Sequence, residues 1–188
     1  MSHLVATAAP VLVIAMGVSG SGKSTLAAGL GAEFGFRLIE ADDFHPPANK
    51  ALMARGEPLT DAMRAPWIDA MCDALREHRR NGDSCVLAYS GLRRAHRQRF
   101  RELGYPTLFL HLSGDQALIR GRMQARLGHF APASLLDSQY AALEASSEEP
   151  DIVVLDVAQD IDRLHRQAAG RVRAFIAEHR RDGSVPRT

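Results

Sequence analysis

Five short apolar runs are spaced along the chain, and amphipathic stretches separate them. The first run, residues 11–16, is apolar at every position, which is typical of a central parallel strand covered on both faces. The other four runs predict strands at about 37–42, 85–89, 107–112 and 151–157. Because helical patterns alternate with these strands, we predict an α/β fold with a five-stranded parallel sheet between helices.

Helical periodicity fills most of the segments between the apolar runs. The clearest stripe lies within residues 67–80, where apolar side chains recur at i, i+3, i+4 and i+7. Its members are Ile68, Met71, Cys72 and Leu75. The remaining helices are predicted at about 23–34, 46–56, 93–103, 115–127, 135–145 and 161–179.

Local signals set several of the predicted boundaries. Gly35 ends the first helix, Ser90 is predicted to cap the helix near residue 93, and Ser113 or Asp115 the following one. The polar stretch 57–66 is flanked by prolines and is predicted to be a loop.

Composition and charge narrow the classes of protein. The 188 residues are 46% apolar and 24% charged, as in an ordinary globular chain, so we predict one domain over residues 1–188. The net charge of +1 argues against nucleic-acid binding through bulk electrostatics. No segment is long enough to span a membrane. Two free thiols, Cys72 and Cys85, are a simpler expectation than a disulfide, and fit a cytoplasmic location.

A glycine-rich loop follows the first predicted strand and precedes the first predicted helix. Within MGVSGSGKST, residues 16–25, four positions match the pattern G-x-x-x-x-G-K-[ST]. Such a loop points backbone N–H groups at phosphates, its lysine reaches the β- and γ-phosphates, and its serine hydroxyl binds Mg²⁺. The sequence therefore predicts binding of a nucleoside triphosphate with Mg²⁺. The predicted residues are Gly17, Ser19, Gly20, Ser21, Gly22, Lys23, Ser24 and Thr25.

Acidic residues near the predicted strand ends are candidates for metal binding and for activating an acceptor. Glu40 and Asp42 end the second strand, on the sheet edge that carries the glycine loop. Asp156 ends the fifth strand and is the alternative. A guanine-specific switch is excluded, because Asn49-Lys50 is followed by Ala-Leu and not by the x-Asp of N-K-x-D.

Arginines cluster in the segment LIRGRMQARLGHF. Arg122 and Arg126 are four residues apart and share a helix face. Arginines in a closing segment can stabilise the charge of a transferring phosphoryl group. On spacing alone, an exposed basic face explains them equally well.

With these residues in view, the chain resembles the gluconokinases, small P-loop kinases related in fold to shikimate and nucleoside monophosphate kinases. The resemblance runs from about residue 11 to 157 and is carried by MGVSGSGKS, ADDFHPPANKALMARGEPLTDAMRAPW, SGLRRAHR and ARLGHFAPASLLDSQYAALE. It implies a P-loop NTPase fold with a mobile lid at about 122–140 and an acceptor-binding segment at about 42–67. It also suggests a homodimer.

The resemblance implies a role for each matching residue. Asp42 would accept the proton of the acceptor hydroxyl or order Mg²⁺, so it joins Ser24 as a metal candidate. Arg122 looks like the lid arginine that stacks on adenine, and Arg126 like the one that reaches phosphate. Lys23, Asp42 and Arg126 are thus the predicted catalytic residues. The predicted acceptor-binding residues are Asp42, His45, Arg64, Arg97 and His129.

Four positions depart from the family pattern. Met63 and Gln98 stand where acidic residues are usual, Ala41 where glycine is usual, and Arg93 where lysine is usual. The expected activity is ATP-dependent phosphorylation of D-gluconate to 6-phospho-D-gluconate, with gluconate and ATP as the small-molecule partners. Two alternatives stay open: a P-loop kinase of another sugar acid or a nucleotide, and a non-enzymatic nucleotide-dependent switch.

Overall fold

The computed structural model describes residues 9–55, 57, 59–125, 133–146 and 148–181. Within these ranges the chain forms five strands and seven α-helices. The strands are β1 Leu12–Met16, β2 Arg37–Glu40, β3 Cys85–Ala88, β4 Thr107–Ser113 and β5 Ile152–Asp156. The helices are α1 Lys23–Phe34, α2 Pro47–Ala54, α3 Asp61–Arg80, α4 Arg94–Arg101, α5 Gln116–Ala125, α6 Ala133–Ala142 and α7 Ile161–Arg181.

The described strands form one parallel sheet in the order β2-β3-β1-β4-β5. This arrangement confirms the predicted five-stranded parallel sheet. β1 lies in the middle and is buried at every position, as its continuous apolar run requires. In such sheets ligands bind outside the carboxyl ends of the strands, which is the edge where the glycine loop leaves β1.

Apolar clusters cover both faces of the sheet. Val13 and Ala15 face one cluster, which contains Leu26 and Leu30 of α1 and Leu164 of α7. The alternate β1 residues, Leu12, Ile14 and Met16, belong to the other cluster, which includes the predicted stripe of α3 and Phe100 of α4. The stripe residues of α3 are all buried, which confirms the periodicity argument.

The prediction of a loop over 57–66 is wrong for its second half, because α3 begins at Asp61. The Thr60 hydroxyl accepts a hydrogen bond from the Met63 N–H (3.3 Å) and caps the helix. Pro66 lies inside α3, where it removes one helical hydrogen bond. The polar residues that suggested a loop form the exposed face of the first helical turns, which has the same composition as a loop.

Two other boundaries differ in detail from the prediction, and a third agrees with it. β2 ends at Glu40, and Ala41–Phe44 form a turn of 3-10 helix, so Asp42 lies in that turn. Ser90 does not cap α4, which begins at Arg94 without a side-chain cap; instead the Ser90 carbonyl accepts from the Gly17 N–H (3.0 Å). Asp115 does precede α5 as expected, and its carboxylate accepts from the Ala117 N–H (2.8 Å).

Both cysteines are buried free thiols, as predicted. Burial raises the pKa of Cys85 to about 11, so the thiol is protonated at neutral pH. None of the helices in the described ranges has the length and apolar character needed to cross a membrane.

Candidate nucleotide and acceptor site

The glycine loop turns sharply between β1 and α1. Gly17 has a φ of 142° and Gly22 a φ of 101°, values that residues with a side chain rarely adopt. A Cβ atom on Gly17 would lie 2.7 Å from the Leu112 carbonyl oxygen. The two glycines therefore let the backbone make the turn expected of an anion-binding loop.

The polar groups of this loop have defined partners. The Lys23 ammonium donates to the Val18 carbonyl (2.9 Å), and the Ser24 hydroxyl donates to a carboxylate oxygen of Glu40 (2.9 Å). The loop thus holds its lysine folded back over the turn, and its serine beside an acidic residue. This is the arrangement that phosphate and a divalent cation would use.

Burial sets the protonation of Lys23. It lowers the pKa of the ammonium to about 8, against the opposing effect of the nearby Asp42 and Glu40 carboxylates. The lysine is therefore still mostly charged at pH 7, and its charge is poorly solvated. Such an ammonium gains more from a phosphate partner than a solvated one does.

A cavity of about 460 Å³ opens over the loop at the carboxyl edge of the sheet. It brings together the predicted phosphate-side and acceptor-side residues, including Lys23, Ser24, Asp42, His45 and Arg64. The other predicted loop residues that line it are Ser19, Gly20 and Thr25, together with Gly22. Thr25 and Asp42 are exposed and line the cavity, whereas Gly17 is buried and does not line it.

His45 and Trp67 build one wall of the cavity. Their rings stack with centroids 3.9 Å apart, and the indole N–H of Trp67 donates to the Ala41 carbonyl (2.6 Å). This packing fixes the 3-10 turn that carries Asp42, whose carboxylate lies 4.0 Å from Nε2 of His45. Burial lowers the pKa of His45 below its usual value, so the imidazole is neutral at pH 7.

Two arginines at the cavity wall share one carboxylate. Arg64 and Arg93 each place a guanidinium nitrogen 3.0 Å from an oxygen of Asp61, and both arginines line the cavity. The Nε of Arg93 is buried and has no hydrogen-bond partner among the described residues. The two guanidinium groups outnumber the single carboxylate, and the remaining positive charge suits an anionic acceptor.

The expectation that Arg97 contacts the acceptor is not supported by its surroundings. Its side chain is fully buried, and it donates to both oxygens of Glu149 and to the Gly91 and Leu92 carbonyls. These bonds occupy the donors that a substrate carboxylate would need. Arg97 therefore lies behind the cavity wall, and it fixes the loop after β3.

Sequence reasoning missed two cavity-lining residues next to Arg97, namely Arg93 and His96. Burial lowers the pKa of His96, so it is neutral at pH 7. Arg93 was noted only as a departure from the family pattern. The signal for Arg93 in the sequence was that the family usually has another cation, lysine, at this position.

A second, smaller cavity of about 180 Å³ lies on the other side of the glycine loop. Ser21, Thr25, Arg122 and Val157 line it, and the Arg122 guanidinium donates to the Val157 carbonyl (2.6 Å). This position next to the loop suits the base of a bound nucleotide. Arg126 and His129 lie outside the described residues.

The residues around Ser24 fit a magnesium ion. Hydroxyl and carboxylate oxygens are the ligands that Mg²⁺ takes, usually one or two of them beside phosphates and water. Ser24, Glu40 and Asp42 supply such oxygens at the cavity. No group of three or more His, Cys, Asp or Glu side chains suited to a metal occurs in the described part of the chain.

Asp156, the alternative acidic residue, belongs to the outermost strand of the sheet and does not line this cavity. It ends β5, which β4 separates from β1, and its carboxylate accepts from the Ala158 N–H (2.8 Å). Its role within the described structure is to close the turn after β5.

Comparison with protein families gives a match to the AAA domain model over residues 12–150. A gluconokinase from Gluconobacter oxydans (strain 621H) is 43% identical over 144 residues, which cover 77% of this chain and 81% of that protein. The match to the family model spans the glycine loop, β4 and all residues that line the larger cavity.

Solved structures are similar along most of the chain. An unliganded sugar kinase from Janibacter sp. HTCC2649 superposes with a TM-score of 0.83 at 43% identity, covering 89% of this chain and 97% of that one. A gluconokinase from Sinorhizobium meliloti 1021 gives a TM-score of 0.80 at 35% identity, covering 93% and 96%. These similarities confirm the predicted P-loop NTPase α/β fold.

Proposed function

The chain belongs to the gluconokinase family, and we propose that it transfers the γ-phosphoryl group of ATP to the 6-hydroxyl of D-gluconate. The product is 6-phospho-D-gluconate. The observation that carries the proposal is a single cavity that joins the glycine loop to Asp42 and to the arginine pair Arg64 and Arg93. Such a cavity can hold a triphosphate and an anionic acceptor in contact.

The phosphate side of the reaction rests on the glycine loop. Backbone N–H groups of residues 19–25 and the Lys23 ammonium would hold the β- and γ-phosphates, and Arg122 would stack on the adenine. Mg²⁺ bound at Ser24, with Glu40 or Asp42 nearby, would neutralise phosphate charge. Phosphoryl transfer needs little covalent chemistry from the protein, so positioning supplies most of the rate.

The acceptor side rests on Asp42 and the two arginines. Asp42 accepts the proton of the attacking hydroxyl and aims it at the γ-phosphorus. Arg64 and Arg93 bind the carboxylate at the far end of the substrate, because planar guanidinium groups match carboxylate geometry. His45 and His96, both neutral, are suited to hydrogen-bond the sugar hydroxyls between these ends.

Several finer features remain part of the proposal. Arg126 would reach the phosphates and His129 the acceptor, from the part of the predicted lid (about residues 122–140) that precedes α6. The acceptor-binding segment covers about residues 42–67. The homodimer that the family resemblance suggests belongs here as well.

The direct test is ADP formation with ATP and Mg²⁺ in the presence of gluconate, glucose or a nucleoside monophosphate. We expect gluconate to be strongly preferred over glucose, with a difference that reaches about 10⁴-fold in well-built polar sites. Asp42→Asn, prepared in parallel, should lower kcat by about 100-fold or more and so exclude a contaminating kinase.

Other outcomes of this assay favour the alternatives. Equal kcat/KM for glucose and gluconate would contradict the arginine-pair argument. Activity confined to a nucleoside monophosphate would indicate a kinase with another acceptor. ATP binding without stimulation by any acceptor would indicate a switch.

A further inference from the structure

Helix α6 contacts the phosphate-binding loop through one side chain, Gln139. The Gln139 amide oxygen accepts from the Ser19 backbone N–H (2.6 Å), and the amide nitrogen donates to the Ser19 hydroxyl (3.0 Å). The two residues are 120 positions apart in the chain. One amide thus bonds two groups of the same loop residue, inside the large cavity that both residues line.

The orientation of this amide follows from hydrogen-bond chemistry. A backbone N–H can only donate, so the oxygen of Gln139 must face it, and the NH₂ group then faces the Ser19 hydroxyl. The second hydrogen of that NH₂ group takes no part in the contact with Ser19. It remains as a donor in the cavity.

Other contacts hold α6 in place without Gln139. Leu136 is buried in the core, the Tyr140 hydroxyl donates to the Gly114 carbonyl (2.9 Å), and Asp137 pairs with Arg120 of α5 (2.5 Å). Gln139 therefore sits on a supported helix turn above the loop. Its contact with Ser19 is an addition to the packing of α6 and is not needed for it.

The Ser19 N–H belongs to the loop that would cradle a triphosphate. A terminal phosphate in the loop competes with Gln139 for this N–H, and a charged acceptor forms the stronger hydrogen bond. Displaced from the N–H, the Gln139 side chain stays beside the phosphate, because α6 is held by its own contacts. Its NH₂ group can then donate to a phosphate oxygen.

We propose that Gln139 binds the terminal phosphoryl group of ATP and distinguishes ATP from ADP in this site. The proposal rests on the proposed function for its nucleotide, and it assigns a role to a residue that motif reasoning did not single out. A neutral amide is suited to this role because it donates to the phosphate without adding negative charge next to it.

The experiment is to measure binding of ADP and of a β,γ-imido analogue of ATP, each with Mg²⁺, to the whole chain and to two variants. Gln139→Met keeps the length of the side chain without its polar groups, and Gln139→Glu puts a carboxylate beside the phosphate. For Gln139→Met we expect the analogue to bind about 10-fold more weakly, the scale of one hydrogen bond to a charged group. ADP binding should change little.

For Gln139→Glu the affinity for the analogue should fall further than for Gln139→Met, because the new carboxylate and the phosphate are both negative and repel each other. The matched control is Gln167→Met, an exposed glutamine on α7 that lines neither cavity; it should leave both affinities unchanged. Equal losses for ADP and the analogue, or no loss for either, would overturn the proposal in favour of a packing role.

This experiment separates the inference from the proposed function, because it needs no acceptor. If the wild-type chain binds the analogue selectively through Gln139 but fails to phosphorylate gluconate, only the acceptor assignment is wrong. With gluconate as acceptor, Gln139→Met should lower kcat/KM for ATP and leave KM for gluconate unchanged. A change confined to KM for gluconate would also contradict the proposal.

Discussion

At the scale of single residues, the burial of charged side chains decides the electrostatics of the cavity. Lys23 is the clearest example, because burial lowers its pKa while two carboxylates oppose the shift. The ammonium is protonated below a pH of about 8 and neutral above it. A bound triphosphate adds negative charge and raises that pKa again.

A pH profile follows from the lowered pKa of Lys23. We expect kcat/KM for ATP to fall above a pH of about 8, because this parameter reports ionisations of the free enzyme. In contrast, kcat at saturating ATP should hold to higher pH, since the bound phosphates keep the lysine charged. Steady-state rates at saturating gluconate measure both parameters. A kcat/KM that stays flat through the alkaline range would show that the free ammonium is not perturbed.

Substitution of Arg93 tests how the acceptor is recognised. Arg93→Met should lower kcat/KM for gluconate by about 10-fold or more, because a hydrogen bond to a charged partner is lost, with little change in KM for ATP. The control is Arg94→Met, since Arg94 pairs with Glu148 and Glu149 outside the cavity. Equal effects of the two substitutions would remove Arg93 from the acceptor site.

At the scale of elements, a partly buried network of charges connects α4 to the segment before β5. Arg97 and Arg101 both bond Glu149, and Arg101 also bonds Asp151. Burial alone would raise the pKa of Glu149, but hydrogen bonds from Arg97 and Arg101 hold it below its usual value. Since Arg97 also binds the Gly91 and Leu92 carbonyls, the network fixes the loop that ends at Arg93.

Removing Arg97 should therefore cost stability. Arg97→Met leaves Glu149 with one partner fewer and the Gly91 carbonyl without its donor, whereas the Leu92 carbonyl keeps a bond from the Glu144 N–H (2.9 Å). Breaking a buried pair costs about 3–5 kcal/mol, which corresponds to a fall in Tm of about 6–20 °C for a chain of this size. Thermal unfolding followed by circular dichroism measures the change.

The control for Arg97 lies two residues along the same helix. Arg99 pairs with Asp69 on the surface, and such exposed pairs contribute about 0–1 kcal/mol. Arg99→Met should thus shift Tm little. If the two substitutions destabilise the protein equally, the buried network does not hold the loop.

At the scale of the whole molecule, the parallel sheet places both halves of the site at one edge. β1, β2 and β3 all end at this edge, and they lead respectively into the glycine loop, the turn that carries Asp42, and the loop before Arg93. Helices α3 and α6 then close the sides with Arg64 and Gln139. Residues separated by more than a hundred positions meet because successive strands end at the same level.

The sequence by itself determined the sheet, the nucleotide loop and the family. Continuous apolar runs and the glycine pattern are local signals, and they express the physics of burial and of backbone freedom within a few residues. The same local physics accounts for the α1 boundaries and for the buried stripe of α3. It failed at 57–66, because a polar helix face and a polar loop have the same composition.

Only the tertiary structure decided which charged residues face the cavity. Arg93 and Arg97 are both arginines on one short segment, yet Glu149, fifty-two positions beyond Arg97, holds Arg97 in the interior, whereas Arg93 lines the cavity. Gln139 likewise gained its place only through contact with Ser19. Such partners are distant in the chain, so a residue's direction depends on packing that no local pattern encodes.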